Sequence, residues 1–221
     1  MNKIITRQYP FIGQLTAIVT FPDDFAPEKE SLPVILFLHG AGERGASTPE
    51  TVDLVKVHGI ARYFSADPCY KGTRVITVSP QCPLGFVWDH VTFMLKDFID
   101  AVVDEYNGDK SRIAVTGLSM GGYGTWNMLS TFPDYFYKAA PICGGGISWR
   151  VREAQMVGKP IWAFHSTDDT AVPFECSVDM VKRADETGAD VKFTAFCDLG
   201  HGCWETAYEK TDLVRWLADC E

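Results

Sequence analysis

The sequence predicts an α/β fold with a mostly parallel central sheet and helices on both of its faces. Short apolar runs of strand length alternate with segments of helical period, and the connections between them are short. No internal repeat, low-complexity tract or long linker divides the 221 residues, so a single domain, 1–221, is expected. A chain of that length can bury a large core.

Taken in order, residues 15–21 alternate and include β-branched side chains, the pattern of an early strand, and residues 22–33 form a polar connection bounded by prolines. Residues 34–38 (VILFL) are continuously apolar and end at His39-Gly40, as expected of a strand buried on both faces. Residues 49–64 have helical character and 75–78 form a short strand. Residues 90–106 carry Val91, Met94, Leu95, Phe98, Val102 and Val103 near helical spacing, with a stop at Asn107-Gly108. A buried strand at 112–116 (RIAVT) precedes a helix at 119–132 that ends before Pro133. Strands are expected at 137–142 and 160–164, with room for a short helix between 144 and 159. A helix at 174–187, a strand at 191–196 and a terminal helix at 206–218 complete the chain. In such a fold ligands bind where loops leave the carboxyl ends of the strands, so the residues just after VILFL, RIAVT, PIWAF and VKFTAF are the ones to read for chemistry.

Charge and cysteine usage narrow the partners. Twenty Lys and Arg against 29 Asp and Glu leave a net charge of −9, which repels phosphate backbones and anionic lipid. No nucleic-acid or membrane partner is expected, and no run of 18 apolar residues exists to span a bilayer. Residues 1–10 carry Lys3 and Arg7 without a following signal-like apolar stretch, so export is not indicated. The seven cysteines are scattered, odd in number and never spaced C-x-x-C. They read as reduced thiols of a cytoplasmic protein, without a metal site or cofactor.

The strongest chemical signal is Gly117-Leu118-Ser119-Met120-Gly121-Gly122, a G-x-S-x-G pattern between a strand and a helix. A strand that turns at once into a helix puts the intervening residue in a strained conformation, and glycines two before and two after it let the neighbouring backbone approach. A serine hydroxyl is a weak nucleophile unless a histidine takes its proton and an acid orients that histidine. His201, after the last strand, is the candidate base. His58 and His90 lie upstream, on or near helices, and read as surface or cap residues. His39 and His165 close buried strands, where a histidine more often bonds to backbone. Asp168 and Asp169, after PIWAF, and Asp198 are the candidate acids, with Asp198 on the wrong strand end. For the oxyanion of a tetrahedral intermediate, the backbone N–H of Met120 at a helix start is one donor. The N–H of Ala41, with Gly42 as alternative, is the second, from the glycine-rich loop after VILFL.

HGAGERG at 39–45, PQCP at 80–83 followed by Trp88, GLSMGG at 117–122, HSTDDTAVP at 165–173, and Gly200-His201 followed by Trp204 and Tyr208 together resemble the α/β-hydrolases. They are most similar to the esterases and predicted peptidases related to prolyl oligopeptidase and dienelactone hydrolase, from about residue 15 to the C-terminus. The resemblance implies the α/β-hydrolase fold and a Ser119, Asp169, His201 triad, because the family pattern H-G-x-x-D-x-x-V-P laid on HSTDDTAVP puts the acid on Asp169. Ser166 replaces the glycine of that pattern, and Asp168 is then left as a turn residue. Dienelactone hydrolases proper use a cysteine where this chain has Ser119, which speaks against that particular reaction. The expected function is hydrolysis of small-molecule carboxylic esters, with small or carbohydrate-linked acyl groups, through an acyl-enzyme. A prolyl-oligopeptidase-like peptidase and a non-catalytic binding protein are the alternatives. The resemblance also places Trp88 near the site as a possible stacking wall, against a plain packing role, while Glu43 and Arg44 are expected to pair and order their loop, with binding of a polar leaving group the alternative.

Overall fold

The computed structural model describes residues 1–152 and 156–220. Eight strands form one sheet: β1 (Asn2–Tyr9), β2 (Gly13–Thr20), β3 (Leu32–Leu38), β4 (Ile76–Pro80), β5 (Gly108–Leu118), β6 (Lys138–Ile142), β7 (Pro160–Ser166) and β8 (Asp190–Phe196). Their order is β1-β2-β4-β3-β5-β6-β7-β8. Antiparallel pairing is confined to β1/β2 and β2/β4, and every later pair is parallel. The described helices are α1 (Gly59–Ala66), α2 (Thr92–Glu105), α3 (Met120–Thr131), α4 (Glu175–Glu186), α5 (Trp204–Lys210) and α6 (Leu213–Leu217).

Period-2 alternation sorts the core into two layers. Along β3, Val34, Leu36 and Leu38 join Leu95, Phe98 and Val102 of α2, Trp126 and Met128 of α3, and Met180 of α4. Ile35 and Phe37 point the other way, onto Ile60 and Phe64 of α1, Tyr208 of α5 and Leu213 and Val214 of α6. All seven residues of β3 are buried, which is why its sequence is apolar without interruption.

Several elements depart from expectation. β1 was not anticipated, because six of its eight residues are exposed, only Ile5 and Tyr9 are half-buried, and no apolar face is written into it. It is held by pairing to β2 across a hairpin. The helix expected at 49–64 is two elements, a 3-10 stretch at Val52–Val57 and α1, because His58 is extended and Gly59 has φ +60°. The terminal helix is likewise interrupted, at Thr211 and Asp212. Of the short helix expected within 144–159, the described residues include a 3-10 turn at Ser148–Arg150, while 153–155 lie outside the described residues. No described helix is long and apolar enough to cross a membrane.

Candidate active site

β5 runs directly into α3, and Ser119 at the junction takes φ 54°, ψ −117°. That region disfavours any L side chain, so the surroundings must impose it. They do so through backbone contacts. The Ser119 N–H donates to Ile142 O at 3.0 Å, and its carbonyl accepts from Gly122 N at 2.8 Å as the helix starts. A Cβ at Gly121 would lie 1.8 Å from Leu38 O, and one at Gly117 2.4 Å from Gly121 O. The glycines of the motif are therefore a steric condition for the turn.

β8 lies three strands away from β5, so a histidine after it must be brought back over the sheet. The clasp is made by the loop after β7. Asp168 accepts the hydroxyl proton of Ser166 and, at 3.1 and 3.2 Å, the Gly200 N–H. Ser166 Oγ in turn accepts from Leu199 N at 3.3 Å. The serine that stands in the family's glycine position is thus part of the tie. Its bond to Ser166, with backbone amides, holds the exposed Asp168 carboxyl below the usual aspartate range.

So carried, His201 presents Nε2 to Ser119 Oγ at 2.8 Å and Nδ1 to Asp169 Oδ2 at 2.7 Å. Asp169 is buried at 8% exposure. Burial pushes its carboxyl upward, yet the His201 bond and the N–H groups of Val172 and Ala171, at 2.9 and 2.8 Å on Oδ1, outweigh it and leave the group below its ordinary value. His165, fully buried, adds a contact from Nε2 to Asp169 Oδ2 at 3.1 Å, with Val172 O at 3.0 Å and Ser177 Oγ on Nδ1 at 2.7 Å. With two acceptors facing it, Nε2 carries a proton, so His165 donates to the carboxylate. Asp198 is exposed and belongs to neither set of contacts.

The other expected residues are placed as follows. Met120 is the first residue of α3 and Ala41 the first of a 3-10 turn, Ala41–Glu43, positions whose N–H has no acceptor within the helix. Ala41, Gly42 and Glu43 line a cavity of about 260 Å³ together with Gly40, His58, Leu118, Ser119, His201 and Trp204. Trp88 does not line it. At 1% exposure, Trp88 donates its Nε1–H to His39 O at 3.0 Å and meets the His39 ring edge-on at 4.9 Å, so it supports the loop from beneath and has no face for a ligand. The expected Glu43–Arg44 pair is not formed either, for Arg44 donates to Ala41 O at 2.9 Å and Phe86 O at 3.4 Å.

His58, expected at the surface or at a helix cap, does cap α1 and also lines the cavity, as does Trp204, to which the sequence assigned no role at the site. His58 bonds to Glu205 at 3.0 Å, and its ring and that of His201 both meet Trp204 edge-on, at 5.4 and 5.2 Å. Nothing local marks His58, because its place depends on α1 packing beside α5. Cys143, Asp169 and His201 also place ligand-type atoms within 4.8 Å of one another. Burial holds the Cys143 thiol well above its usual range, and the Asp169–His201 bond already occupies the other two, so the trio is better suited to proton transfer than to holding a cation.

Chemically, the row Asp169, His201, Ser119 can draw the hydroxyl proton onto an imidazole whose other nitrogen is fixed by a carboxylate.

Comparison with known proteins agrees with this architecture. A crystal structure of a thermostable esterase superposes with a TM-score of 0.80 at 32% identity, over 99% of this chain and 62% of that one. Acetylxylan esterase A of Emericella nidulans is 26% identical over 157 residues, 65% of this chain and 50% of the relative. Poly(3-hydroxyalkanoate) depolymerase C of Paucimonas lemoignei is 45% identical over 51 residues, 23% of this chain and 12% of its own length. The chain therefore spans about half the length of the acetylxylan esterase and a small part of the depolymerase. The fold is that of the α/β-hydrolases, and the dienelactone hydrolase family profile matches residues 86–213, from the loop before α2 to the start of α6. On that match, the chain belongs to the dienelactone hydrolase family.

Proposed function

We propose that this chain hydrolyses carboxylic esters of small or carbohydrate-linked acyl groups, with Ser119 as nucleophile, His201 as general base and acid, and Asp169 as the orienting carboxylate. The observation that carries the reading is the unbroken hydrogen-bonded row from Asp169 Oδ2 through His201 to Ser119 Oγ, at 2.7 and 2.8 Å, opening onto a cavity. Ser119 Oγ attacks the ester carbon as its proton passes to His201 Nε2, and the oxyanion is held by the N–H groups of Met120 and Ala41. Collapse breaks the bond to the alcohol oxygen, which takes the proton from Nε2. Water then attacks the acyl-enzyme with His201 again as base, and Ser119 is regenerated. The similarity to the thermostable esterase and to acetylxylan esterase A supports ester substrates.

The test is hydrolysis of p-nitrophenyl acetate and butyrate against a matched anilide, with fluorophosphonate labelling located by peptide mapping. Ester turnover with label on Ser119, abolished in Ser119→Ala and His201→Ala chains of native thermal stability, is expected. Label elsewhere, or undiminished turnover in Ser119→Ala, would refute it.

A further inference from the structure

Among the described residues, six buried side-chain polar atoms have no hydrogen-bond partner, and one of them is a carboxyl oxygen, Glu43 Oε2. Hydroxyl and indole groups tolerate such isolation at modest cost, whereas a carboxyl group shut away from water without a donor is expensive. Glu43 is 7% exposed and sits in the turn that also carries Ala41. Arg44 and His39 stand near it in sequence or space, and neither serves it. Arg44 spends its guanidinium on the carbonyls of Ala41 and Phe86. His39 Nδ1 comes within 3.8 Å, but its proton goes to Gly40 O at 2.6 Å, while Nε2 accepts the Cys82 N–H at 2.9 Å. The ring is therefore neutral, and its one donor is committed.

What remains for Glu43 is the cavity it lines with Ser119 and His201. The leaving alcohol takes its proton from His201 Nε2, so the alcohol portion of an ester lies on the His201 side of the nucleophile, in the cavity that His201, Trp204 and the Ala41–Glu43 turn all line. A second unpartnered buried atom, Trp204 Nε1, belongs to another residue lining that cavity. An acceptor and a donor without partners around one cavity suit an alcohol that carries further hydroxyl groups.

We propose that Glu43 is a specificity-determining residue that accepts a hydrogen bond from a hydroxyl on the alcohol portion of the substrate, so that the site selects esters of polyols or sugars over esters of plain alkyl alcohols. The proposal rests on the ester-hydrolase reading above.

The experiment compares glycerol monoacetate with propyl acetate, which share the acyl group and the three-carbon alcohol, on the wild-type chain and on Glu43→Gln and Glu43→Met. The wild type should favour the glycerol ester by about tenfold or more in kcat/KM, the difference made by pairing a hydroxyl with a buried acceptor that otherwise has no donor. The preference should shrink in Glu43→Gln and vanish in Glu43→Met, with thermal midpoints no lower than wild type because Oε2 has no protein hydrogen bond to lose. Equal wild-type rates on the two esters, or an undiminished preference in Glu43→Met, would overturn the proposal while leaving the ester reading in place. So would lowered midpoints in both variants, which would mark Glu43 as a support of the loop. Failure of the wild type on both acetates and on p-nitrophenyl acetate would overturn both.

Discussion

His39 closes β3 directly before the turn that carries Ala41, and its ring is fully buried. Desolvation is the largest influence on it. The bond to Gly40 O favours the charged form, Arg44 opposes it, and the net effect pushes the imidazole down to about 4 from its ordinary 6.5. Protonation would also cost the acceptor at Nε2 that holds the Cys82 N–H. In the unfolded chain the same ring titrates at its ordinary value. Between the two, unfolded molecules bind a proton that folded ones refuse, so stability rises with pH in this window. The contribution is fully present above 6.5 and is lost as pH falls toward 4. A shift of that size corresponds to about 3 kcal/mol, a large share of the net stability of a typical domain. Urea unfolding at pH 7.5, 5.5 and 4.5 on the wild type and on His39→Gln, which keeps an acceptor and a donor but cannot titrate, isolates this residue from the carboxylates. The wild type should lose about 2.5 kcal/mol more than the variant between pH 7.5 and 4.5, most of the full effect. Parallel losses in the two chains, or a His39 ring resonance titrating near 6.5, would refute the reasoning.

Three further outcomes follow from the site. Asp169→Asn removes the charge that orients His201 and should lower kcat/KM by roughly 10³- to 10⁴-fold. Asp168→Asn keeps an oxygen for Ser166 and Gly200 and should cost less than about tenfold; equal losses in steady-state kinetics would contradict the assigned roles. Gly121→Ala drives a methyl against Leu38 O and should lower the thermal midpoint by 10 °C or more, on the order of several kcal/mol, as backbone must move; an unchanged midpoint would show that the turn is softer than its contacts imply. Asp169 and Glu205 both titrate below their ordinary values, against the pull of burial. The stability they supply is present above the ordinary carboxylate range and is lost as pH falls through their folded values, so acid unfolding should shift to higher pH in Glu205→Gln, followed by circular dichroism.

Much of the frame was legible because its rules are local. A short uninterrupted apolar run such as VILFL, closed by His39-Gly40, has the pattern of a strand buried on both faces, and Asn107 at φ 51° ends α2 where Asn-Gly was written. β1 was illegible for the complementary reason: a polar edge strand owes its form to its neighbour β2, and its own residues carry no periodic mark. The break at Gly59 was hidden because a glycine within a helical pattern is commonly tolerated. Here a Cβ would strike the Phe37 ring at 2.6 Å, a contact set by β3.

The division within the site follows the same line. Spacing and chain order singled out Ser119 and His201 and narrowed the acid to a few aspartates, and the family resemblance then pointed to Asp169, since the tight turn around a nucleophile and the loop patterns after two strands are written in consecutive residues. Which groups surround them was decided by folding. Glu43 was read as an ion pair and leaves Oε2 without a hydrogen-bond partner, Trp88 was read as either a pocket wall or a packing residue and packs beneath the loop, and His58, read as a surface or cap residue, caps α1 and with Trp204 lines the cavity. Adjacent residues reveal the backbone path they share. A side chain's partners, 49 residues away for Trp88 and His39 or 147 for His58 and Glu205, exist only after the strand order and helix packing have brought them together.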